Sequence, residues 1–368
     1  MKNIQELNNL KGKTVLVRSS LNVPLAGSTV RDDFRLRRAV ATVEYLRKAG
    51  ARVIIIAHLG RAGTESLEPV AHALKNHLLE LRFVSSLEEL QNTDANLVLY
   101  ENIRRDPREV ANDENFAKKL AGLADIFVQD AFSVCHREHA SIVSLPKFLP
   151  SYAGILLQEE VSALQKVRNP EHPALFVLGG AKFDTKESLI NEELNIFDKV
   201  HISGAIANDF FKARGFDVGD SLTSTRKPSG SVLEHKNLVL PENLLVRLAT
   251  GEVETRVQGD INKGETIVDA FMPSGLLKDV ASGKFKTIVW NGPFGFYEGG
   301  FYRGSEEFAH ELARAGEHGA YTLVGGGDTI ATLHKHGLDK DISFISTGGG
   351  AMLEFLLNDT LPGIEALD

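Results

Sequence analysis

The chain has 368 residues, 43% of them hydrophobic, which suits about two or three globular domains and argues against a disordered or fibrous protein. A net charge of −8 disfavours a general nucleic-acid binder, and the single cysteine, Cys135, excludes an intramolecular disulfide framework or a Cys-x-x-Cys zinc site. Met1–Leu10 lacks the basic flank and apolar stretch of a secretory leader, and no apolar run approaches the roughly 18 residues of a membrane span, so a reducing cytoplasm is the expected compartment.

Along the chain, short β-branched apolar runs alternate with segments of helical period. Thr14–Val17 is the first predicted strand and Phe34–Ala49 the first long helix; Arg52–Ala57 and Asn96–Leu99 follow, then the helix Asn115–Leu123 and the strand Asp125–Val128. After Pro150 a polar-faced helix, Leu156–Val167, leads to a turn-rich break at Asn169–Pro173. Strands then resume at Ala174–Leu178, Lys199–Ile202, Asn237–Leu240, Thr287–Trp290, Tyr321–Val324 and Ile342–Ile345, with helices at Ser188–Phe197, Pro273–Ala281 and Ser305–Ala315. This βαβ repetition predicts an α/β protein of two doubly wound, Rossmann-like parallel-sheet domains joined by a helix. The expected divisions are residues 1–152, a helix and hinge over 153–170, and a second domain over 171–350.

Ligands in open parallel sheets sit beyond the carboxyl ends of the strands. In the first half those ends are basic: Arg18, then His58 and Arg61, then Arg104, then His136, Arg137 and His139, with Arg35 opening the first long helix. Residues 1–150 carry a balance of +3 against −11 for the remainder. Each arginine alone reads as a solvated surface residue. Gathered at one sheet edge, their planar forks suit an anion with several phosphate or carboxylate oxygens.

In the second half the strand ends are rich in glycine: Gly179-Gly180-Ala181-Lys182, Ser203-Gly204-Ala205, Gly325-Gly326-Gly327-Asp328-Thr329 and Ser346-Thr347-Gly348-Gly349-Gly350. Such loops bring backbone N–H groups and helix N-termini close to phosphate. Lys182 and Lys186 add cations, and Asp328 at a helix start is placed either to hold Mg²⁺ on nucleotide phosphates or simply to cap that helix. Neither GxxxxGK[ST] nor GxGxxG occurs, so a Walker-type or dinucleotide fingerprint is not supported.

Together with Val17-Arg18-Ser19-Ser20-Leu21-Asn22-Val23-Pro24, His58-Leu59-Gly60-Arg61, Glu101-Asn102-Ile103-Arg104, Asp130-Ala131-Phe132, His136-Arg137-Glu138-His139-Ala140-Ser141 and Trp290-Asn291-Gly292-Pro293, these loops resemble the phosphoglycerate kinase family over nearly the whole chain. The resemblance implies reversible phosphoryl transfer between ATP and the carboxylate of 3-phosphoglycerate, a glycolytic step, by a cytoplasmic monomer that closes about a hinge. It implies that 3-phosphoglycerate is held on the first domain by Ser20, Asn22, Arg35, His58, Arg61, Arg104 and Arg137. MgATP would be held on the second by Lys182, Lys186, Glu298, Gly326, Gly327, Asp328 and Thr329, with Asp328 as metal ligand. Arg35, Lys182, Gly326 and Gly349 take catalytic roles in this reading, and residues 351–368 fold back onto the first domain. Small-molecule substrates, and neither nucleic acid nor membrane, are the expected partners.

Several positions depart from the family pattern: Ser20 stands for the usual aspartate, Leu21 for phenylalanine, Ala62 for proline, Arg105 for phenylalanine, Ser133-Val134-Cys135 for Gly-Thr-Ala, Ser203 and Ala205 for glycines, and Asn243 for aspartate. Ser20 and Arg105 leave open a relative acting on another small acid, and a non-catalytic nucleotide or anion binder is a third reading.

Overall fold

The first strand, Thr14–Arg18 (β1), shows why this chain builds parallel sheets. Val15 and Val17 join one apolar cluster with Val53, Ile55, Leu97, Leu99 and Val128, whereas Leu16 joins another with Ile54, Ile56, Val98 and Phe127. Alternate residues therefore feed cores on opposite faces, and a strand buried on both sides must read as continuous aliphatic sequence. The computed structural model describes all 368 residues. They divide into two units, Met1–Ser162 with Asn358–Asp368, and Ala163–Leu357.

The first unit holds a six-stranded parallel sheet. Its remaining strands are Arg52–Ile56 (β2), Arg82–Val84 (β3), Leu97–Tyr100 (β4), Ile126–Gln129 (β5) and Ser151–Ala153 (β6), in the order β3-β4-β2-β1-β5-β6. β1 pairs with β2 on one side, Val15 opposite Val53, and with β5 on the other, Val15 opposite Ile126. The winding reverses between β1 and β5, which opens a crevice beyond their carboxyl ends. Helix α1, Phe34–Lys48, buries Leu36, Ala39, Val43 and Leu46. Within the same unit the C-terminal segment buries Leu361, Ile364 and Leu367, and the Gly363 amide donates to the Cys135 carbonyl at 2.8 Å.

The second unit repeats the scheme with Ala174–Leu178 (β7), Lys199–Ile202 (β8), Leu238–Val239 (β9), Thr287–Asn291 (β13), Tyr321–Gly325 (β14) and Phe344–Ile345 (β15), in the order β9-β8-β7-β13-β14-β15. Here the reversal falls between β7 and β13, both entirely buried. Trp290 and Phe308 meet edge to face at 5.1 Å, and Phe294 stacks on Phe308 at 5.4 Å, anchoring the helix Arg303–Glu317 beneath the sheet.

Both expected parallel sheets are present, but the second unit also carries an antiparallel sheet that the periodicity does not reveal. It consists of Asn243–Arg247 (β10), Val253–Val257 (β11) and Thr266–Phe271 (β12), ordered β11-β10-β12. β11 is largely exposed, and β10 sets only Leu244-Leu245-Val246 between exposed polar ends, so neither shows the continuous burial of the parallel strands. The short strands Arg82–Val84 and Ser151–Ala153 and the helix Gly204–Ala213 also lie outside the expected set, and other elements differ at their ends. The helix expected over Ser305–Ala315 spans Arg303–Glu317, and the strand expected over Ile342–Ile345 is only Phe344–Ile345.

Candidate active site

The crevice of the first unit is lined by residues that leave β1, β2 and β5. Ser20, two residues beyond β1, is fully buried, and its Oγ lies 2.6 Å from Oγ of Ser133, just beyond β5. Asn22 uses Oδ1 to accept from the Gly60 amide at 2.9 Å, and its carbonyl accepts from Nη1 of Arg35 at 2.6 Å. Arg104 donates from Nη1 to the Gly60 carbonyl at 2.8 Å, while its buried Nε is without a partner. The β1, β2 and β4 loops are thus tied together around Gly60. Arg61 and Arg137 stand exposed.

This neighbourhood is short of negative charge. Arg104 is held below the usual guanidinium range by burial and then by Arg137. His139 falls to about 4 through burial, Arg104, Arg18 and Arg137, and His136 to about 4 through burial and Arg137. His58 is lowered well below the ordinary imidazole value by burial, then chiefly by Arg18 and Arg104, with Arg35 adding to them. Neutral imidazoles among arginines mark a positive potential that a multiply charged anion would relieve.

Two expectations for this cluster change in the structure. Arg18 is the last residue of β1 rather than a free cation beyond it, and it is completely buried with its fork committed to Ser141, Ser19 and His58. Arg105 turns to Glu101, with Nη1 2.8 Å from Oε2. Glu101 also accepts from the Leu67 and Asn102 amides, so Arg105 completes the anchorage of a loop instead of facing the crevice.

In the second unit the reversal between β7 and β13 forces two backbones together. The Gly179 amide donates to the Asn291 carbonyl at 2.9 Å and the Gly180 amide to the Pro293 carbonyl at 2.8 Å. A Cβ on Gly179 would lie 2.3 Å from the Pro293 oxygen, so only glycine fits there. Beside this crossing runs a cleft of about 630 Å³, walled by Gly204, Ala205, Leu222, Ile267, Phe296 and Tyr297, with Glu298 and Asp328 also facing it. β12, unforeseen in the sequence, supplies one wall.

At the end of β14, Gly326 adopts φ +100° and begins the helix Gly327–His336. The amides of residues 327 to 329 have no earlier carbonyl in the helix to receive them, because the first intrahelical donor is Ile330, to Gly326. The start of the helix Gly349–Asn358 lies alongside, where a Cβ on Gly349 would be 3.4 Å from Cα of Gly326. Two positive helix ends are therefore side by side. Lys186 donates to the Gly179 carbonyl at 3.1 Å, and burial, then Lys182, push its ammonium down to about 8. Lys182 is exposed, with φ +68°, and its ammonium has no partner. Asp328 is raised above the usual carboxylate range by burial and by Glu298. Thr329 differs from expectation in one respect: its hydroxyl is buried, donates to the Gly325 carbonyl at 2.8 Å and accepts from the Gly292 amide at 3.3 Å, leaving only its amide for a ligand.

Comparison with known proteins identifies the family. The family model for phosphoglycerate kinase matches residues 4–359. The chain belongs to the phosphoglycerate kinase family. It is 39% identical to the phosphoglycerate kinase of Thermosipho africanus, over 98% of this chain and 96% of that one, and 40% identical to the cytosolic phosphoglycerate kinase 3 of Arabidopsis thaliana, again over 98% and 96%. Among solved structures, phosphoglycerate kinase from Coxiella burnetii superposes with TM-score 0.80 at 34% identity, covering 99% of this chain and 98% of that one. The Pyrococcus horikoshii enzyme gives 0.85 at 27% identity, covering 100% and 98%. Its function is that of this family: a glycolytic kinase that acts on small molecules, with a carboxyl group as phosphoryl acceptor. No helix is long and apolar enough to cross a membrane.

Sequence reading did not single out Glu109, which is fully buried and anchors Ser141 beneath the basic cluster. No local signal marks it, because its partner lies 32 residues away.

Proposed function

We propose that the first unit binds 3-phosphoglycerate and the second MgATP, and that the chain carries out reversible transfer between them as a cytoplasmic monomer. The observation that carries this reading is the contrast between the two sheet edges. One is crowded with arginines and neutral histidines, and the other with unpaired helix amides beside Lys182 and Lys186.

Arg35, Arg61, Arg104 and Arg137, with His58 and Asn22, hold the anionic groups of 3-phosphoglycerate, and Ser20 meets its hydroxyl. In the cleft of the second unit Glu298 takes the ribose, while the amides of Gly326, Gly327, Asp328 and Thr329 and the ammonium groups of Lys182 and Lys186 take the phosphates. Asp328 suits Mg²⁺ as a half-buried carboxylate at a helix start facing the same cleft as Glu298. No set of three or more His, Cys, Asp or Glu side chains converges into a site of its own, which fits an ion completing its shell with phosphate oxygens. When bound, that ion neutralises phosphate charge.

The acceptor is a carboxylate already ionised at neutral pH, so no general base is required. Catalysis reduces to alignment and to neutralising the charge of the phosphoryl group in flight. Arg35 steadies the acceptor, Lys182 follows the moving charge, and the amides at Gly326 and Gly349 receive it. Closure about the Ile155–Arg168 helix brings the substrates together and expels water.

The test is ATP consumption with and without 3-phosphoglycerate in Mg²⁺ and hydroxylamine, which traps an acyl phosphate as hydroxamate. Hydroxamate that depends on 3-phosphoglycerate is the expected result. Its absence in folded, ATP-binding protein would overturn the substrate assignment.

A further inference from the structure

Beneath the basic cluster lies a chain of four buried polar side chains whose proton directions are determined one by one. Glu109, completely buried, spends both carboxylate oxygens on Ser141: Oε1 accepts the hydroxyl at 2.6 Å and Oε2 the amide at 2.9 Å. The only hydroxyl proton of Ser141 is thereby committed. Its oxygen can then only accept, and Nε of Arg18 donates to it at 2.9 Å. Arg18 gives Nη1 to the Ser19 carbonyl at 2.8 Å, which leaves Nη2 aimed at Nδ1 of His58, 3.0 Å away.

A guanidinium has no lone pair to offer, so Nδ1 of His58 must be the unprotonated nitrogen. The proton then sits on Nε2, which takes part in no hydrogen bond within the protein, Nδ1 being the ring nitrogen that Arg18 engages. From these contacts we infer that Glu109 and Ser141 are positioning residues that, through Arg18, set the tautomer of His58 so that a neutral imidazole offers an Nε2–H donor to the acceptor substrate. The inference rests on the reading of the basic cluster as the 3-phosphoglycerate site.

Electrostatics support the same arrangement. Burial pushes Arg18 down to about 10, and Glu109 is the first influence that raises it again, acting across the Ser141 hydroxyl. Burial, then Arg18, Arg104 and Arg35, act to keep His58 uncharged. A neutral N–H donor adds a directed hydrogen bond where another full positive charge would be costly to bury. Ala140 and Ser141 open a π-helical turn, Ala140–Ser144, whose first amide also bonds the Glu109 carbonyl at 2.9 Å, so backbone and side chain hold Ser141 in one place.

The test uses Ser141→Ala, which removes the link while keeping both charges, with Ser141→Thr as the conservative rescue and Glu109→Gln as the second break. Imidazole ¹⁵N spectra of the full chain should show His58 as the Nε2–H tautomer in the parent and in Ser141→Thr, and as a mixture in Ser141→Ala. KM for 3-phosphoglycerate should rise about 5–30-fold in Ser141→Ala, while kcat and KM for ATP change less than about twofold. An Nδ1–H tautomer in the parent protein overturns the proposal, as do an unmoved tautomer and KM in Ser141→Ala. Should Glu109→Gln fail to fold, Ser141→Ala decides alone. A shifted tautomer with unchanged KM would leave the hydrogen-bond chain standing and overturn its link to substrate; loss of 3-phosphoglycerate-dependent hydroxamate in the parent would instead overturn the site assignment.

Discussion

The hydroxyls of Ser20 and Ser133 lie 2.6 Å apart, joining the loops that follow two neighbouring strands, β1 and β5, at the reversal of the first sheet. Both are positions where the family resemblance implies another residue, aspartate and glycine, and the contact makes the two serines neighbours. A neutral pair replaces a carboxylate opposite glycine. In Ser20→Asp the carboxylate would accept from Ser133 among the surrounding cations and gain a charged hydrogen bond to the substrate, lowering KM for 3-phosphoglycerate about 5–30-fold. An unchanged or higher KM would show that this pocket is built around the serine pair.

Lys182→Ala should reduce kcat about 10²–10³-fold with Tm unchanged, because the side chain is exposed and without a partner until a phosphate arrives. Steady-state kinetics beside a thermal melt separate the two effects. Near-parental turnover would remove Lys182 from the reaction.

Lys186 has a folded-state value of about 8 against an ordinary 10.5. Between these the unfolded chain binds more protons than the folded one, so this residue makes stability rise with pH across that window. Lys186→Met should flatten that slope and be more stable than the parent near pH 7, where the parent holds a buried charge. Nucleotide phosphates should restore the proton, so ATP binding above about pH 8 should take up protons in the parent and not in the variant. Calorimetry in buffers of differing ionisation enthalpy measures this uptake.

Gly179→Ala should destabilise the second unit by about 1–3 kcal/mol or more, since the new methyl meets the backbone oxygens of Pro293 and Gly292 at 2.3 and 2.5 Å. Weakened ATP binding should accompany the lower Tm, because the same crossing forms the cleft wall. A melt like that of the parent would show that the crossing can open without cost.

Arg105→Ala should leave KM for 3-phosphoglycerate within about twofold and cost at most about 1 kcal/mol, as its guanidinium is half-exposed and bound to Glu101 rather than facing the crevice. A larger change in KM, measured beside stability, would return Arg105 to the substrate site.

What the sequence by itself determined is local. Apolar runs such as Ala174–Leu178 can be satisfied only with both faces covered, so they announce parallel strands, and the arginines and glycines just beyond them are the local signal behind the proposed anion and phosphate sites. What only the tertiary structure decided is partnership. Arg18 and Arg104 look alike in sequence, yet one is committed to Ser141, 123 residues away, while the other keeps donors near the crevice. The inward turn of the Thr329 hydroxyl, the junction of Ser20 with Ser133 and the hold of Glu109 on Ser141 are likewise set by distant neighbours. The antiparallel sheet stayed hidden for a related reason: Val253–Val257 is largely exposed, Asn243–Arg247 has only three aliphatic residues between polar ends, and pairing is what makes them strands. Periodicity records which side of an element is dry; a side chain's hydrogen-bond partner depends on which strands the completed fold makes neighbours.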